Sequence, residues 1–188
     1  MPAAQRTQEV GCYIVGSETL ASLPEGPLFW HLYTYPSLDA AKQAKGTSTG
    51  VAVESLGKAW LFKIAPAGWR PPSGERVSMI GPLPVPQAKR YEVRYLETVQ
   101  AAHPTGHTPV HRHPGVEAWY VEKGQHCMQT PTTTRVIHAG ETDIVPPGVP
   151  MMLTPGDAER HVTLVLFDAD QPWMTRAADW SPNTSCTK

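Results

Sequence analysis

Gly106-His-Thr-Pro-Val-His111-Arg-His113-Pro-Gly-Val-Glu117-Ala-Trp-Tyr-Val-Glu-Lys-Gly124 is the stretch whose reading decides the fold. Residues two apart on a strand lie on the same face. His111 and His113 therefore project together, and Arg112 projects away. Pro114 and Gly115 supply a turn, after which Glu117 opens the next strand. Two imidazoles and a carboxylate converging on one point make a metal site of borderline-hard character. Trp119 has the parity of Glu117 and is expected to face the same interior, with Tyr120 facing out. His107 also has the parity of His111 and is a further candidate for the pocket, although its surroundings, from Pro104 to Pro109, read as a loop.

Downstream, the chain reads as strand throughout. Tyr91, Val93, Tyr95 and Val99 alternate with polar residues as in a half-buried strand. Val110 to His113, Glu117 to Glu122, Cys127 to Thr130, Thr134 to His138, Thr142 to Val145, Met151 to Leu153 and Val162 to Phe167 follow, most of them separated by Pro, Gly, Thr or Asp clusters. Short strands at this spacing indicate an all-β sandwich or barrel. Cys127 and Gln129 share one face of their strand, and His126 and Met128 share the other. Alternation does not say which face is inner, so Cys127 and Gln129 stand as candidate pocket residues. His161, on the last strand, is expected to be structural or exposed. The tail after Asp168, with Trp173 and Trp180, is expected to pack across the barrel.

Upstream, Leu28 to Tyr35 and Val51 to Ile64, with a break at Gly57, are strand-like. Ser37 is a plausible N-cap and Gly46 a stop for a helix ending at Lys45. The proline-rich stretch from Ala65 to Lys89 reads as a surface excursion. The expected organisation is an N-terminal extension over 1–90, a barrel over 91–168 and a tail over 169–188.

The central segment resembles the first motif of the cupins: glycine, His-x-His, three residues, Glu, six residues, glycine. It matches at Gly106, His111, His113, Glu117 and Gly124, with the first gap one residue short. Gly140-Glu-Thr-Asp-Ile-Val-Pro146-Pro-Gly148-Val-Pro-Met151 resembles the second motif, but Met151 stands where the family usually has a third histidine and Pro155 where it usually has asparagine. The resemblance covers about Tyr91 to Asp168. It implies a double-stranded β-helix with a divalent ion (iron, manganese, zinc, nickel or copper) at its mouth, held by His111, His113 and Glu117. A thioether suits copper(I) and few other ions, so Met151 is read as an apolar cover near the metal, with direct ligation as the alternative. Two His and one carboxylate leave open positions on the ion, as in non-haem iron oxygenases. The expectation is a metal-binding cupin acting on a small molecule, of dioxygenase type, with Glu117 as the catalytic candidate. A non-catalytic binding or storage cupin, and a cupin isomerase or lyase, are the alternatives.

The totals set limits on this. The chain has 188 residues, 18% of them charged, and a net charge of −1, which makes nucleic acid and anionic membranes poor partners. No apolar run approaches the ~18 residues of a membrane span. The first residues lack a basic segment followed by an apolar one, so the expected location is the cytoplasm, or outside it for the mature form of an exported protein. Cys12, Cys127 and Cys186 are expected to be reduced thiols, with a Cys12–Cys127 bridge as the option for an exported protein. Edge strands of such sandwiches are commonly covered by a second subunit, so a homodimer is expected.

Overall fold

Alternation along three long strands divides the molecule into layers. In the computed structural model, which describes residues 1–101, 106–182 and 186, these strands are β6 (Tyr91–Val99), β8 (Val116–Lys123) and β13 (Arg160–Asp168). They belong to a five-stranded antiparallel sheet in the order β1-β6-β13-β8-β11, where β1 is Gly11–Leu20 and β11 is Thr142–Val145. One face of this sheet carries Val93, Tyr95, Val116, Ala118, Val162, Leu164 and Leu166, all buried in one apolar cluster. The opposite face carries Leu96, Thr98, Glu117, Trp119 and Thr163, which line an interior cavity.

Across the cavity lies a three-stranded sheet of β10 (Thr134–His138), β9 (Gln125–Gln129) and β12 (Met152–Pro155). A short pair, β7 (His111–Arg112) with β14 (Thr175–Arg176), lies beside it. The fold is thus all-β and cupin-type, as the resemblance implied.

The other face of the large sheet is covered by the N-terminal part of the chain. β3 (Val51–Ser55), β4 (Lys58–Pro66), β2 (Leu28–Tyr35) and β5 (Glu75–Ile80) form a four-stranded sheet in that order. Its Trp30, Leu32, Trp60 and Phe62 pack into the apolar cluster of the barrel sheet. Behind it lies the helix α1 (Leu38–Lys45), whose Ala41 packs with Tyr33, Tyr35, Ala59 and Leu61. The Ser37 hydroxyl accepts from the Ala40 N–H at 3.2 Å, and Gly46 ends the helix at a φ of 57°.

The structure departs from the sequence expectations in three places. The Ala65–Lys89 stretch is more than a surface excursion: it contains β5, which pairs with β2 and buries Ile80. β1 was not foreseen; it pairs with β6 from Gly11 to Leu20, so the extension adds a strand to the barrel sheet itself. Cys127 pairs with Cys186 and not with Cys12, and the thiols are not all free. The inner face of β9 is that of His126 and Met128, since His126 stacks edge-on to Trp119 and Met128 joins the Trp119 cluster. Cys127 consequently points outward, where the tail reaches it, while Cys12 lies on the cavity side.

Candidate metal centre

The two histidines sit on a strand of only two residues, and backbone pairing on both sides compensates for that shortness. His111 pairs with Met151 through hydrogen bonds of 3.0 and 2.8 Å, and with Arg176 of β14 on the other side. The carbonyl of His113 accepts from the Gly148 N–H at 2.8 Å, which ties the second motif to the first. Between His113 and Glu117 the chain passes so close to β13 that a Cβ on Gly115 would stand 1.9 Å from the Leu166 carbonyl oxygen. Only glycine fits there.

The ligand atoms of His111, His113 and Glu117 lie within 4.8 Å of one another, and all three residues are buried. Each imidazole has its Nδ1 against a backbone carbonyl, that of Pro109 at 2.7 Å for His111 and that of Trp173 at 2.5 Å for His113. A carbonyl can only accept, so both Nδ1 atoms carry hydrogen, and the Nε2 atoms are the ones left to face an ion. His113 Nε2 stands 3.0 Å from Glu117 Oε2. That oxygen is buried and has no hydrogen bond of acceptable direction. A ring nitrogen and a carboxylate oxygen this close in a buried site call for a positive charge between or beside them, a proton on Nε2 or a metal ion. The same field acts on His113: burial lowers its pKa, but the charge of Glu117, together with polar contacts to Glu117 and a hydrogen bond to the Trp173 carbonyl, raises it overall. The donor set and its orphaned oxygen fit a divalent ion.

The group opens on a cavity of about 200 Å³. Trp119, Met151, Leu96 and Leu153 supply apolar wall, while Thr98, Thr163, Cys12 and His161 supply polar atoms. Trp173 and Met174 of the tail close one side.

Of the residues singled out from sequence, His111, His113, Glu117, Trp119 and Met151 come together at this cavity. Met151 is 2% exposed and packs with Trp119, Val121 and Leu153. The other three candidates lie away from it. His107 is exposed, with its Nδ1 2.8 Å from the Thr108 carbonyl. Cys127 is bridged to Cys186 on the outer face of β9, and Gln129, buried, has the same parity. Sequence reading gave no role at the site to His161 or to the Trp173 carbonyl. The parity of His161 with Thr163 was readable, but its place over the cavity depends on pairing with strands distant in sequence.

No protein-family model and no curated protein sequence matches the chain. Solved structures similar to parts of it include the DMSP lyase DddQ from Ruegeria pomeroyi, at 15% identity and a TM-score of 0.39 over 45% of this chain and 42% of that one. A cupin superfamily protein from Desulfitobacterium hafniense is similar at 10% identity and a TM-score of 0.38, over 40% of this chain and 68% of that one. The salicylate 1,2-dioxygenase of Pseudoaminobacter salicylatoxidans is similar at 18% identity and a TM-score of 0.36, over 39% and 20%. These likenesses are partial and distant. The class, an all-β cupin-type barrel with a His/Glu group able to hold a metal, is read from this chain's own strand order and site.

Proposed function

We propose that this protein is a metal-dependent enzyme of dioxygenase type acting on a small molecule, with His111, His113 and Glu117 as the metal ligands. The observation that carries the reading is the convergence of His111, His113 and Glu117 within 4.8 Å in a buried site, with Glu117 Oε2 3.0 Å from His113 Nε2. A divalent ion held there supplies a Lewis acid and, where the ion is redox-active, a means of oxygen chemistry. Two neutral imidazoles and one carboxylate leave such an ion a formal charge of +1, which favours an anionic oxygen ligand. A cavity of about 200 Å³ suits a compact substrate, since a dry cavity of roughly 150 Å³ already admits benzene. Trp119, Leu96 and Leu153 offer apolar wall to a ring or short chain.

The test is oxygen uptake by iron(II)-loaded protein offered catechols and enolisable diketones. Uptake that Glu117→Gln abolishes, with the fold intact by circular dichroism, supports the reading. Tight ligand binding without oxygen use or other turnover would favour a non-catalytic binding or storage cupin. Turnover without oxygen would favour an isomerase or lyase.

The Cys127–Cys186 bridge favours an oxidising compartment, where disulfides persist. The N-terminal sheet covers the outer face of the barrel sheet, which is therefore not open to a second subunit. A homodimer would therefore use a strand edge, and light scattering would detect it.

A further inference from the structure

A second polar group is buried in the wall of the cavity. Glu159 is 0% exposed, His126 1% and His161 3%. Glu159 Oε1 accepts from His126 Nδ1 at 2.6 Å and from His161 Nδ1 at 2.5 Å, and Oε2 accepts from the Gly156 N–H at 3.3 Å. Two ligands each about 2.1 Å from an ion stand roughly 3 Å apart even at a right angle. The shorter separations here belong to hydrogen bonds assisted by charge. The group is therefore held by protons, in contrast to the first.

Its protonation follows from its surroundings. Burial would raise the Glu159 pKa, but the hydrogen bonds from His126 and His161 prevail and hold it below the usual carboxylate value. Burial lowers the pKa of His126. An ionised carboxylate thus lies between two imidazoles, each with its hydrogen on Nδ1. The two rings differ in what their other nitrogen meets. His126 Nε2 is buried without a partner. The His161 ring lines the same cavity as His111, His113 and Glu117. With Nδ1 committed to Glu159, the nitrogen His161 has left for the cavity is Nε2. An imidazole whose far N–H is held by a carboxylate is fixed in one tautomer and stabilised when it takes a proton.

We propose that His161 is the proton acceptor of this cavity, oriented by Glu159, and that it serves a weakly acidic hydroxyl ligand such as a catechol, phenol or enol. The proposal rests on the reading of the cavity as a metal-dependent site. In the step, the ligand O–H bond breaks, its proton goes to His161 Nε2 and the electron pair stays on oxygen. The imidazolium that forms is balanced by Glu159. The oxyanion has the sign that a metal group with residual positive charge attracts. Glu159 is a positioning residue, and His126 assists by placing a second N–H on the same oxygen.

The experiment is calorimetric titration of catechol into zinc-loaded protein at pH 8, in two buffers of different ionisation enthalpy, which counts the protons released to the buffer. The wild type is expected to keep the proton. His161→Gln is expected to release about one proton more per catechol and to bind at least tenfold more weakly, at the same zinc content by elemental analysis. Glu159→Gln is expected to move the proton count in the same direction. Equal counts and affinities in wild type and His161→Gln, or no catechol binding by zinc-loaded wild type, would overturn the proposal. Failure to take up zinc would instead count against the metal reading. Imidazole nitrogen NMR of the wild type, which needs neither metal nor variant, separates the two. His161 protonated on Nδ1 supports the dyad, and His161 protonated on Nε2 overturns it.

Discussion

Glu117 and Glu159 are both buried carboxylates beside histidine, and their neighbours give them opposite tasks. Glu159 meets N–H donors on both oxygens, whereas Glu117 Oε2 is buried with no N–H donor assigned to it and converges with His111 and His113. The first group is complete with protons, and the second calls for a cation. Strand parity made the His111, His113 and Glu117 set legible in the sequence because it acts over a few residues. Parity also separated Cys127 from His126, but it could not say which of them faced in. That choice depends on which sheet covers β9. At Met151, the apolar packing around the side chain predicts that Met151→Leu leaves metal content unchanged and alters stability by less than about 1.5 kcal/mol, since volume is nearly conserved. Metal analysis and a melting curve check this; a loss of metal would show that the sulfur coordinates. His126 supplies a pH prediction. Its folded pKa lies below the ordinary value of 6.5, so the unfolded chain takes up the proton first as pH falls. The stability tied to a neutral His126 is lost below about pH 6.5, by up to ~1.4 kcal/mol per pH unit. Glu159, held below its ordinary value of 4.5, adds a loss in more acid solution. Urea unfolding at pH 7 and pH 5 should therefore show a steeper loss for wild type than for His126→Gln. Parallel losses would contradict the account.

Among the elements, the tail does more for the site than its short β14 suggests. It pairs with β7, lends the Trp173 carbonyl to His113, bonds Asp179 to Arg112 and is anchored by Cys186. Sequence reading placed the tail across the barrel but gave it no part in orienting a ligand, because a backbone carbonyl leaves no mark in residue type. β1 and β5 escaped notice for a related reason. The β1 segment is mostly half-exposed and broken by an irregularity between Ile14 and Gly16, and β5 has few buried residues. Their pairing partners, not their own patterns, make them strands. The bridge spans 59 residues, a loop for which chain entropy assigns a disulfide about 4 kcal/mol. Cys186→Ser is expected to lower the melting temperature by several degrees and to weaken metal binding about tenfold, as loss of an outer hydrogen bond to a ligand does. Melting curves and a chelator competition measure both. An unchanged metal affinity would show that the tail keeps its place without the bridge.

For the molecule as a whole, layering explains how the inner face of the barrel sheet is kept for the cavity. The N-terminal sheet buries the outer face of the barrel sheet with Trp30, Trp60 and Phe62, which leaves the inner face free to carry Glu117, Thr98 and Thr163. The central claim is that this inner face holds one divalent ion through His111, His113 and Glu117. Equilibrium loading of the chelator-stripped protein with cobalt(II) tests it most directly, read by absorption and elemental analysis. One ion per chain is predicted for the wild type, with affinity reduced at least tenfold in Glu117→Gln. Binding of less than a tenth of an equivalent by the wild type, or equal binding by wild type and Glu117→Gln, would contradict the account.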